Sequence, residues 1–321
     1  MRLLFLGSGA FGVPTLRHLA ARHEVLGIVS QPDRRAGRGG KLTPTPVSAW
    51  AIENLPTRPL FRPESINEPG MVAALHDLAG PGRADAWVVI AFGQRLARTL
   101  VEPVFAINLH ASLLPRWRGA APINAAILAG DSQTGNSVIT IAERMDAGLV
   151  LGWSSRPIYP ALTAGELHDL LALDGPPLVE RVLDEHARGL LRPEPQDEAG
   201  VTRAPKLSPA DAWIDFTQDA EACRRRIHGL TPWPGVRVVF QDQPLKLLRA
   251  QPVPRAAPFL EPPGALLDPA LGVVCCGPGS PADLLLIEVQ PPGKKPMNWQ
   301  DFARGRRIRG GERLLGAPRP C

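Results

Sequence analysis

Asn108, His110 and Asp146 are residue types that stabilise oxyanions and transfer protons. Asn108 and His110 lie two residues apart at the end of the apolar run INLHASLLP, and Asp146 follows in the segment MDAG. An amide side chain can donate a hydrogen bond to a developing oxyanion, and a histidine beside a carboxylate can accept and return a proton. Because side chains two residues apart on a strand share a face, Asn108 and His110 are expected to point to the same side.

Each of the three residues also has an ordinary structural explanation. Asn108 could cap a turn, His110 could be a buried histidine with its hydrogen bonds satisfied, and Asp146 could form an Asx-turn. The sequence does not show whether the side chains converge, so the residue types alone leave both interpretations open.

A second candidate site lies at the start of the chain, where a short apolar run ends in the segment 7–12, GSGAFG. This segment matches G-x-G-x-x-G, the turn that places a pyrophosphate at a helix N-terminus. An acidic residue for the ribose is expected about 20 residues further on, and Asp33 lies near that distance. An NAD(P)-dependent oxidoreductase is therefore one hypothesis.

The loop around Asp33 is strongly basic. It reads SQPDRRAGRGGKLTPTPV and carries Arg34, Arg35, Arg38 and Lys41 among several glycines. A loop of this kind suits a ligand rich in phosphate, either the 2′-phosphate of NADP or, with cations spread so widely, a nucleic-acid backbone. A solvated basic loop without a ligand explains the charge equally well.

The elements that would position these residues alternate between strand and helix. Short apolar runs followed by stretches with helical spacing predict a parallel α/β sheet. A sharp connection is expected at 146–148, and Thr163 with Glu166 predicts a capping box at a helix start. Strands are expected within 1–6, 24–30, 85–93, 105–115 and 137–158, and helices within 14–22, 47–55, 71–79 and 163–191.

The C-terminal part of the chain has a different character. Residues 191–206 are polar and aperiodic, which predicts a linker. From Leu207 onward the apolar runs are short and separated by Gly/Pro turns, as in a small β-barrel or sandwich. We expect domains at 1–190 and 207–321 with the linker between them.

Composition narrows the class of protein. A length of 321 residues allows two domains, and a hydrophobic fraction of 44% is ordinary for a globular protein. A net charge of +5 allows an acidic partner without requiring one. The four cysteines show neither metal-site spacing nor a disulfide framework, and no apolar stretch is long enough to span a membrane. We therefore expect a cytoplasmic protein without a bound metal.

The segments QPDRRAGRGGKLTPTPV, INLHASLLPRWRGAAPINAAILAGD, MDAG, KLSPADAWIDF and TPWPG occur in this order. Together they resemble the methionyl-tRNA formyltransferase family over nearly the whole chain. The resemblance implies a Rossmann-like formyltransferase domain with a parallel sheet, followed by a small β-barrel domain of OB type. It also implies that the glycine turn is a scaffold element and binds no nicotinamide cofactor.

The same resemblance implies the reaction and its residues. It implies transfer of a formyl group from 10-formyltetrahydrofolate to the amino group of initiator methionyl-tRNA by a monomeric enzyme that uses no metal. Asn108, His110 and Asp146 would be catalytic. The folate would be bound by Phe92, Gly93, Gln94, Leu96, Ser112, Leu113, Leu114 and Pro115, and the tRNA by Arg34, Arg35, Arg38, Lys41 and Lys206.

Three other functions compete with this interpretation. An NAD(P) oxidoreductase leaves the INLHASLLP segment unexplained. A formyltransferase acting on a nucleotide sugar or purine precursor has no use for the arginine-rich loop. A tRNA-binding protein without catalytic activity explains the basic loop but gives no role to Asn108, His110 and Asp146.

Overall fold

A computed structural model describes residues 1–36, 40–255 and 261–316 of the chain. The chain divides into two compact units, each built from segments that are separate in sequence. The first unit comprises Met1–Gly119, Thr134–Arg156 and His168–Arg203, and the second comprises Ala120–Gln133, Pro157–Leu167 and Ala204–Cys321.

The first unit is an α/β structure, and several of its elements follow the order predicted from the sequence. Its strands and helices, including three elements that have residues in the second unit (β9, β10 and α6), are β1 (Arg2–Gly7), α1 (Val13–Ala20), β2 (Glu24–Val29), β3 (Arg34–Ala36), β4 (Lys41–Thr43), α2 (Pro46–Asn54), β5 (Leu60–Phe61), α3 (Pro69–Ala79), β6 (Ala86–Ile90), α4 (Arg98–Val101), β7 (Ala106–His110), β8 (Arg118–Gly119), β9 (Gln133–Thr140), β10 (Val150–Pro157) and α6 (Ala164–Ala187).

A seven-stranded sheet forms the centre of this unit, in the order β10-β9-β7-β6-β1-β2-β5. β1 pairs in parallel with β2 and β6, and β6 pairs in parallel with β7, whereas β9 runs antiparallel to β7. The central strands are nearly continuous apolar runs, and every residue of β6 is buried. Such runs are typical of parallel strands with both faces covered. The carboxyl ends of β6 and β7 therefore meet at the same edge of the sheet.

The predicted strands and helices of this unit are confirmed. The predicted start of the long helix α6, whose first residues lie in the second unit, is confirmed as well. The Thr163 amide donates to Glu166 Oε2 at 2.8 Å, and the Glu166 amide donates to Thr163 Oγ1 at 3.3 Å. This is the capping box expected from the two residue types. The helix continues through Pro176 and Pro177, in agreement with the helical spacing predicted for 163–191.

The second unit is built on a curled antiparallel sheet, which confirms the predicted small β-rich domain. Its strand order is β14-β15-β16-β13-β12-β18, and β17 pairs with β16. Its elements are α5 (Pro122–Ala129), β11 (Arg203–Ala204), α7 (Ala220–Leu230), β12 (Val236–Phe240), β13 (Gln243–Pro254), β14 (Leu266–Asp268), β15 (Val273–Val274), β16 (Ala282–Gln290), β17 (Met297–Asn298), α8 (Trp299–Arg304) and β18 (Leu315–Gly316).

Helix α7 packs into the core of this sheet and was not among the predicted elements. Ala220, Cys223, Ile227 and Leu230 are all buried, and they recur at helical spacing. Asp219 caps the helix by accepting a hydrogen bond from the Ala222 amide at 2.6 Å. The helical spacing of the apolar residues was present in the sequence, but three consecutive arginines, 224–226, interrupt the apolar pattern.

None of the helices in the described part of the chain is long and apolar enough to cross a membrane.

Candidate active site

Asn108 and His110 lie on β7 at the edge where the parallel strands end. Asn108 is paired with Val89 of β6 on one side and Ile139 of β9 on the other. His110, the last residue of the strand, is opposite Ser137. The Asn108 side chain is half-buried, and within the described residues no partner occupies its amide. Its two N–H groups are therefore available to a ligand.

His110 and Asp146 face each other. His110 Nδ1 lies 3.6 Å from Asp146 Oδ2, and their side chains are 7% and 13% exposed. On the other side of the ring, Nε2 donates to the Trp117 carbonyl oxygen at 2.9 Å. Each ring nitrogen thus faces an oxygen that only accepts, so a proton on either nitrogen has a partner. The structure brings the predicted His–Asp pair together.

Asp146 occupies a strained turn between β9 and β10. Its φ of 54° lies in the left-handed region, which is uncommon for a residue with a side chain. Gly148 makes the turn possible, because a Cβ there would lie 1.8 Å from the Thr140 carbonyl oxygen. The Asp146 carboxylate is held by the Gly119 amide, which donates to Oδ2 at 2.8 Å. The turn and this amide together fix where the carboxylate lies.

Backbone groups of the segment 117–119 contact both candidate catalytic side chains. The Trp117 carbonyl holds His110 and the Gly119 amide holds Asp146. Thr202 anchors the same segment, since its Oγ1 accepts from the Trp117 amide at 2.9 Å and its carbonyl accepts from the Arg118 amide at 3.0 Å. The geometry of the His–Asp pair therefore depends on residues that are distant in sequence.

Arg118, Gln196 and Glu198 surround this arrangement, and sequence reasoning did not single them out. The Arg118 side chain, 7% exposed, donates from Nη2 to Glu198 Oε1 at 2.9 Å. This hydrogen bond lowers the pKa of Glu198, with a further contribution from Arg144. Gln196 accepts from Arg118 Nε at 2.9 Å. The only sequence signal was the RWRG segment itself, and nothing in it indicated its partners 78 and 80 residues away.

The predicted folate segment begins at the carboxyl end of β6. Phe92 is buried, and Gly93 adopts a positive φ of 86°. Gln94 fixes the loop, because its side chain accepts from the Ile66 amide at 2.7 Å and donates to the Pro63 carbonyl at 3.0 Å. Among the described residues, no acceptor is found for the amides of Gly93, Gln94 and Leu96. These amides can therefore bind the acceptor atoms of a ligand ring.

The second predicted folate segment, 112–115, follows β7 directly. Ser112 is fully buried, and its Oγ donates to the Arg116 carbonyl at 2.6 Å. Ser137 holds the segment from β9, accepting from the Leu114 amide and donating to the Ser112 carbonyl. Leu113 and Pro115 are half-buried. Both predicted folate segments thus leave adjacent parallel strands at the same edge of the sheet.

The glycine turn has little capacity for a pyrophosphate. The Ser8 and Gly9 amides, which would face the phosphates, both donate to the Ala91 carbonyl at 3.3 Å. Asp33, the candidate for the ribose, forms an ion pair with Arg62, whose Nη1 donates to its two oxygens at 2.9 and 2.8 Å. The turn therefore connects the end of β1 to the residue that follows β6 by hydrogen bonds. Since Asp33 is also engaged, the hypothesis of an NAD(P)-dependent oxidoreductase is not favoured.

The predicted tRNA-binding loop contains a short hairpin of β3 and β4. Arg34 pairs with Thr43 and Arg35 with Leu42, and both arginines and Lys41 are exposed. Arg35 Nη1 donates to the Gly40 carbonyl at 3.0 Å. Arg38 lies outside the described residues. Lys206 is exposed in the second unit.

No group of three or more His, Cys, Asp or Glu residues that could hold a metal ion occurs within 1–36, 40–255 and 261–316.

Comparison with known proteins identifies the family. The Formyl transferase family model matches residues 1–183, and the Formyl transferase, C-terminal domain model matches residues 206–307. The chain is 42% identical to the methionyl-tRNA formyltransferase of Symbiobacterium thermophilum, over 98% of this chain and 95% of that protein. It is 43% identical to the protein of the same name from Frankia alni, over 99% and 95% of the two chains. The chain belongs to the methionyl-tRNA formyltransferase family.

Solved structures with low sequence identity share the fold. HypX from Aquifex aeolicus, in complex with tetrahydrofolic acid, has a TM-score of 0.61 at 18% identity; the match covers 94% of this chain and 46% of HypX. The sugar 3N-formyltransferase WlaRD, in the presence of dTDP and 5-N-formyl-THF, has a TM-score of 0.66 at 12% identity, with 92% and 99% covered. These neighbours share the fold of this methionyl-tRNA formyltransferase family member.

Proposed function

We propose that the protein transfers the formyl group of 10-formyltetrahydrofolate to the α-amino group of methionyl-initiator tRNA. The observation that carries this proposal is the His110–Asp146 pair beside Asn108 at the end of β7. It occurs in a chain about 40% identical to proteins named methionyl-tRNA formyltransferase over nearly its whole length.

The proposed reaction needs an oxyanion donor and a path for protons. The amine nitrogen attacks the formyl carbon, and the carbonyl electron pair moves to the oxygen. Asn108, whose amide has no partner among the described residues, would donate to this oxygen. His110 Nε2–H, bound to the neutral Trp117 carbonyl, would exchange that partner for the oxyanion, because hydrogen bonds to ions are stronger.

Asp146 would supply the proton path. After attack, the new ammonium must lose a proton, and the leaving folate nitrogen must gain one as its bond to the formyl carbon breaks. Asp146 is only 13% exposed and faces His110 Nδ1, so the pair can take up and return this proton away from bulk water.

The proposed folate site uses the segments 92–96 and 112–115. The unused amides of Gly93, Gln94 and Leu96 suit the hydrogen-bond acceptors of a pterin ring. Phe92 and Leu114, both buried, are the apolar side chains of these two segments that would enclose the ring. Gln94 would act mainly by fixing the loop, since its side chain is already engaged.

The proposed tRNA contacts combine the exposed cations Arg34, Arg35 and Lys41 with Arg38 and, in the second unit, Lys206. Charges on a hairpin can follow a phosphate backbone without burying an unpaired ion. We also propose that the enzyme is a cytoplasmic monomer with domains at 1–190 and 207–321 and a linker at 191–206.

The test is formyl transfer from 10-formyltetrahydrofolate to three acceptors: methionyl-initiator tRNA, methionyl-elongator tRNA and a dTDP-amino sugar. We expect transfer to the initiator tRNA and loss of that transfer in His110→Ala. His168→Ala, at a half-buried position whose side chain pairs with Asp169, serves as the matched control and should retain activity. Formylation of the sugar with no reaction of the tRNA would contradict the proposed acceptor.

A further inference from the structure

We infer that Gln196 is a positioning residue for Asp146 and that Arg118 fixes the orientation in which Gln196 acts. Neither residue is among the catalytic or ligand-binding residues proposed above. The inference rests on the proposed function only in that Asp146 takes part in the reaction.

Gln196 holds the backbone of the turn that carries Asp146. Its Nε2 donates to the carbonyl oxygens of both Asp146 and Gly148 at 2.8 Å. These two carbonyls flank the strained Asp146–Gly148 turn, in which Asp146 has a φ of 54°. A conformation of this kind is unfavourable for a non-glycine residue and persists only when its surroundings hold it. The side-chain amide of Gln196 therefore holds both ends of the turn, and we call this pair of hydrogen bonds the clamp.

Arg118 determines which end of the Gln196 amide faces the turn. A glutamine amide can be rotated to exchange its oxygen and nitrogen, and only its nitrogen can donate to the carbonyls. Arg118 Nε donates to Gln196 Oε1 at 2.9 Å, which selects the productive orientation. Arg118 is itself fixed, since its side chain is buried, its Nη2 binds Glu198 and its amide binds the Thr202 carbonyl.

The clamp acts on the carboxylate through the position of the turn. Asp146 Oδ2 accepts from the Gly119 amide at 2.8 Å and faces His110 Nδ1 at 3.6 Å. A displacement of the turn by about 1 Å would break the first contact and lengthen the second, and misplacement of this size can lower a rate on the order of 100-fold. Gln196 contacts only backbone atoms of the turn, so it positions Asp146 without joining the chemistry.

The experiment compares Gln196→Ala and Gln196→Glu in the full-length enzyme. Glutamate keeps the acceptor for Arg118 and nearly the same volume, but it replaces the two donated hydrogens with an oxygen that faces two carbonyl oxygens. We expect both variants to lower kcat on the order of 10- to 100-fold with little change in KM for either substrate. Gln243→Glu, at an exposed position on β13, is the matched control and should keep the parental rate. A parental rate in Gln196→Glu would show that Gln196 only fills space, and would overturn the inference.

A double-mutant cycle tests whether Gln196 acts through Asp146. In an Asp146→Ala background, adding Gln196→Ala should change kcat by less than about twofold, because there is no carboxylate left to position. If the two losses multiply instead, the inference is wrong. Rates are expressed per folded enzyme, with the folded fraction taken from a thermal unfolding curve of each variant.

Hydrogen exchange at the Gly119 amide provides a readout that is independent of activity. This amide donates to Asp146, so its exchange should accelerate in Gln196→Ala and Gln196→Glu but not in Gln243→Glu. Unchanged exchange in the Gln196 variants would overturn the inference. If the parental enzyme transfers no formyl group, the proposed function fails, whereas this measurement still reports on the positioning of Asp146.

Discussion

The amide of Gly119 donates to Oδ2 of Asp146 at 2.8 Å, across 27 residues of sequence. This hydrogen bond leaves the carboxylate beside His110 Nδ1 while the same backbone segment holds the opposite side of the imidazole through the Trp117 carbonyl. The His–Asp pair is therefore positioned largely by main-chain groups.

Replacing Asp146 with asparagine removes the charge while leaving an oxygen that can accept from Gly119. We expect kcat for formyl transfer to fall on the order of 100-fold or more, with KM little changed, because the proton path is lost. Steady-state kinetics with initiator methionyl-tRNA measures this. Asp242→Asn is a matched control, since Asp242 also lies in a turn with a positive φ of 57°. A rate equal to the parental rate would exclude Asp146 from the reaction.

Replacing Gly148 with alanine should displace the turn that carries Asp146. The new Cβ would lie 1.8 Å from the Thr140 carbonyl oxygen, a clash that only a backbone shift relieves. We expect kcat to fall on the order of 100-fold. Gly70→Ala, where a Cβ meets nothing within 4 Å, should retain full activity. Retained activity in Gly148→Ala would show that the turn tolerates displacement.

Removing charge from the β3–β4 hairpin should weaken tRNA binding without affecting the folate. For Arg34→Ala and Lys41→Ala we expect a lower affinity for initiator tRNA and a slope of log K against log salt reduced by about 1 for each phosphate that the variant no longer neutralises. Filter binding at several salt concentrations measures both quantities. Arg58→Ala, which removes an ion pair with Glu24 elsewhere in the same unit, is the control. Identical salt slopes would argue for a solvated loop.

Acid should destabilise the second unit through His228. This residue is 1% exposed; Nδ1 donates to the Pro160 carbonyl and Nε2 accepts from the Ala250 amide, each at 3.1 Å. Burial, with the charges of Arg224 and Arg249, lowers the pKa of His228 from 6.5 to about 4. As the pH falls, the unfolded chain therefore binds this proton before the folded protein does. The contribution of neutral His228 to the free energy of unfolding is complete above pH 6.5 and is lost as the pH falls toward 4.

The free energy of unfolding should therefore decrease by on the order of 2–3 kcal/mol between about pH 7 and about pH 4.5 through this group alone. Urea unfolding of the parental protein and of His228→Gln at both pH values isolates the effect. The variant should show the smaller pH dependence, even if it is less stable at neutral pH. An equal pH dependence of the free energy of unfolding in the two proteins would show that His228 does not cause the acid destabilisation.

The sequence by itself determined the fold class, many of the elements and the residue types of the site. Apolar runs defined the parallel strands, two-residue spacing placed Asn108 and His110 on one strand, and the residue types Thr163 and Glu166 indicated a helix start that the structure confirms. These features depend on local periodicity and local hydrogen bonds, which the order of residues carries directly. The roles in binding folate and tRNA stay predictions.

Only the tertiary structure decided how polar groups far apart in sequence are paired. The glycine turn matched a phosphate-binding pattern, but its amides are taken by the carbonyl of Ala91, which is distant in the chain. Arg118 and Gln196 are 78 residues apart, and Gln196 reaches the Asp146 turn across 50. Such pairings arise because each buried donor and acceptor must find a partner among whatever groups packing brings near, and linear spacing does not record that proximity.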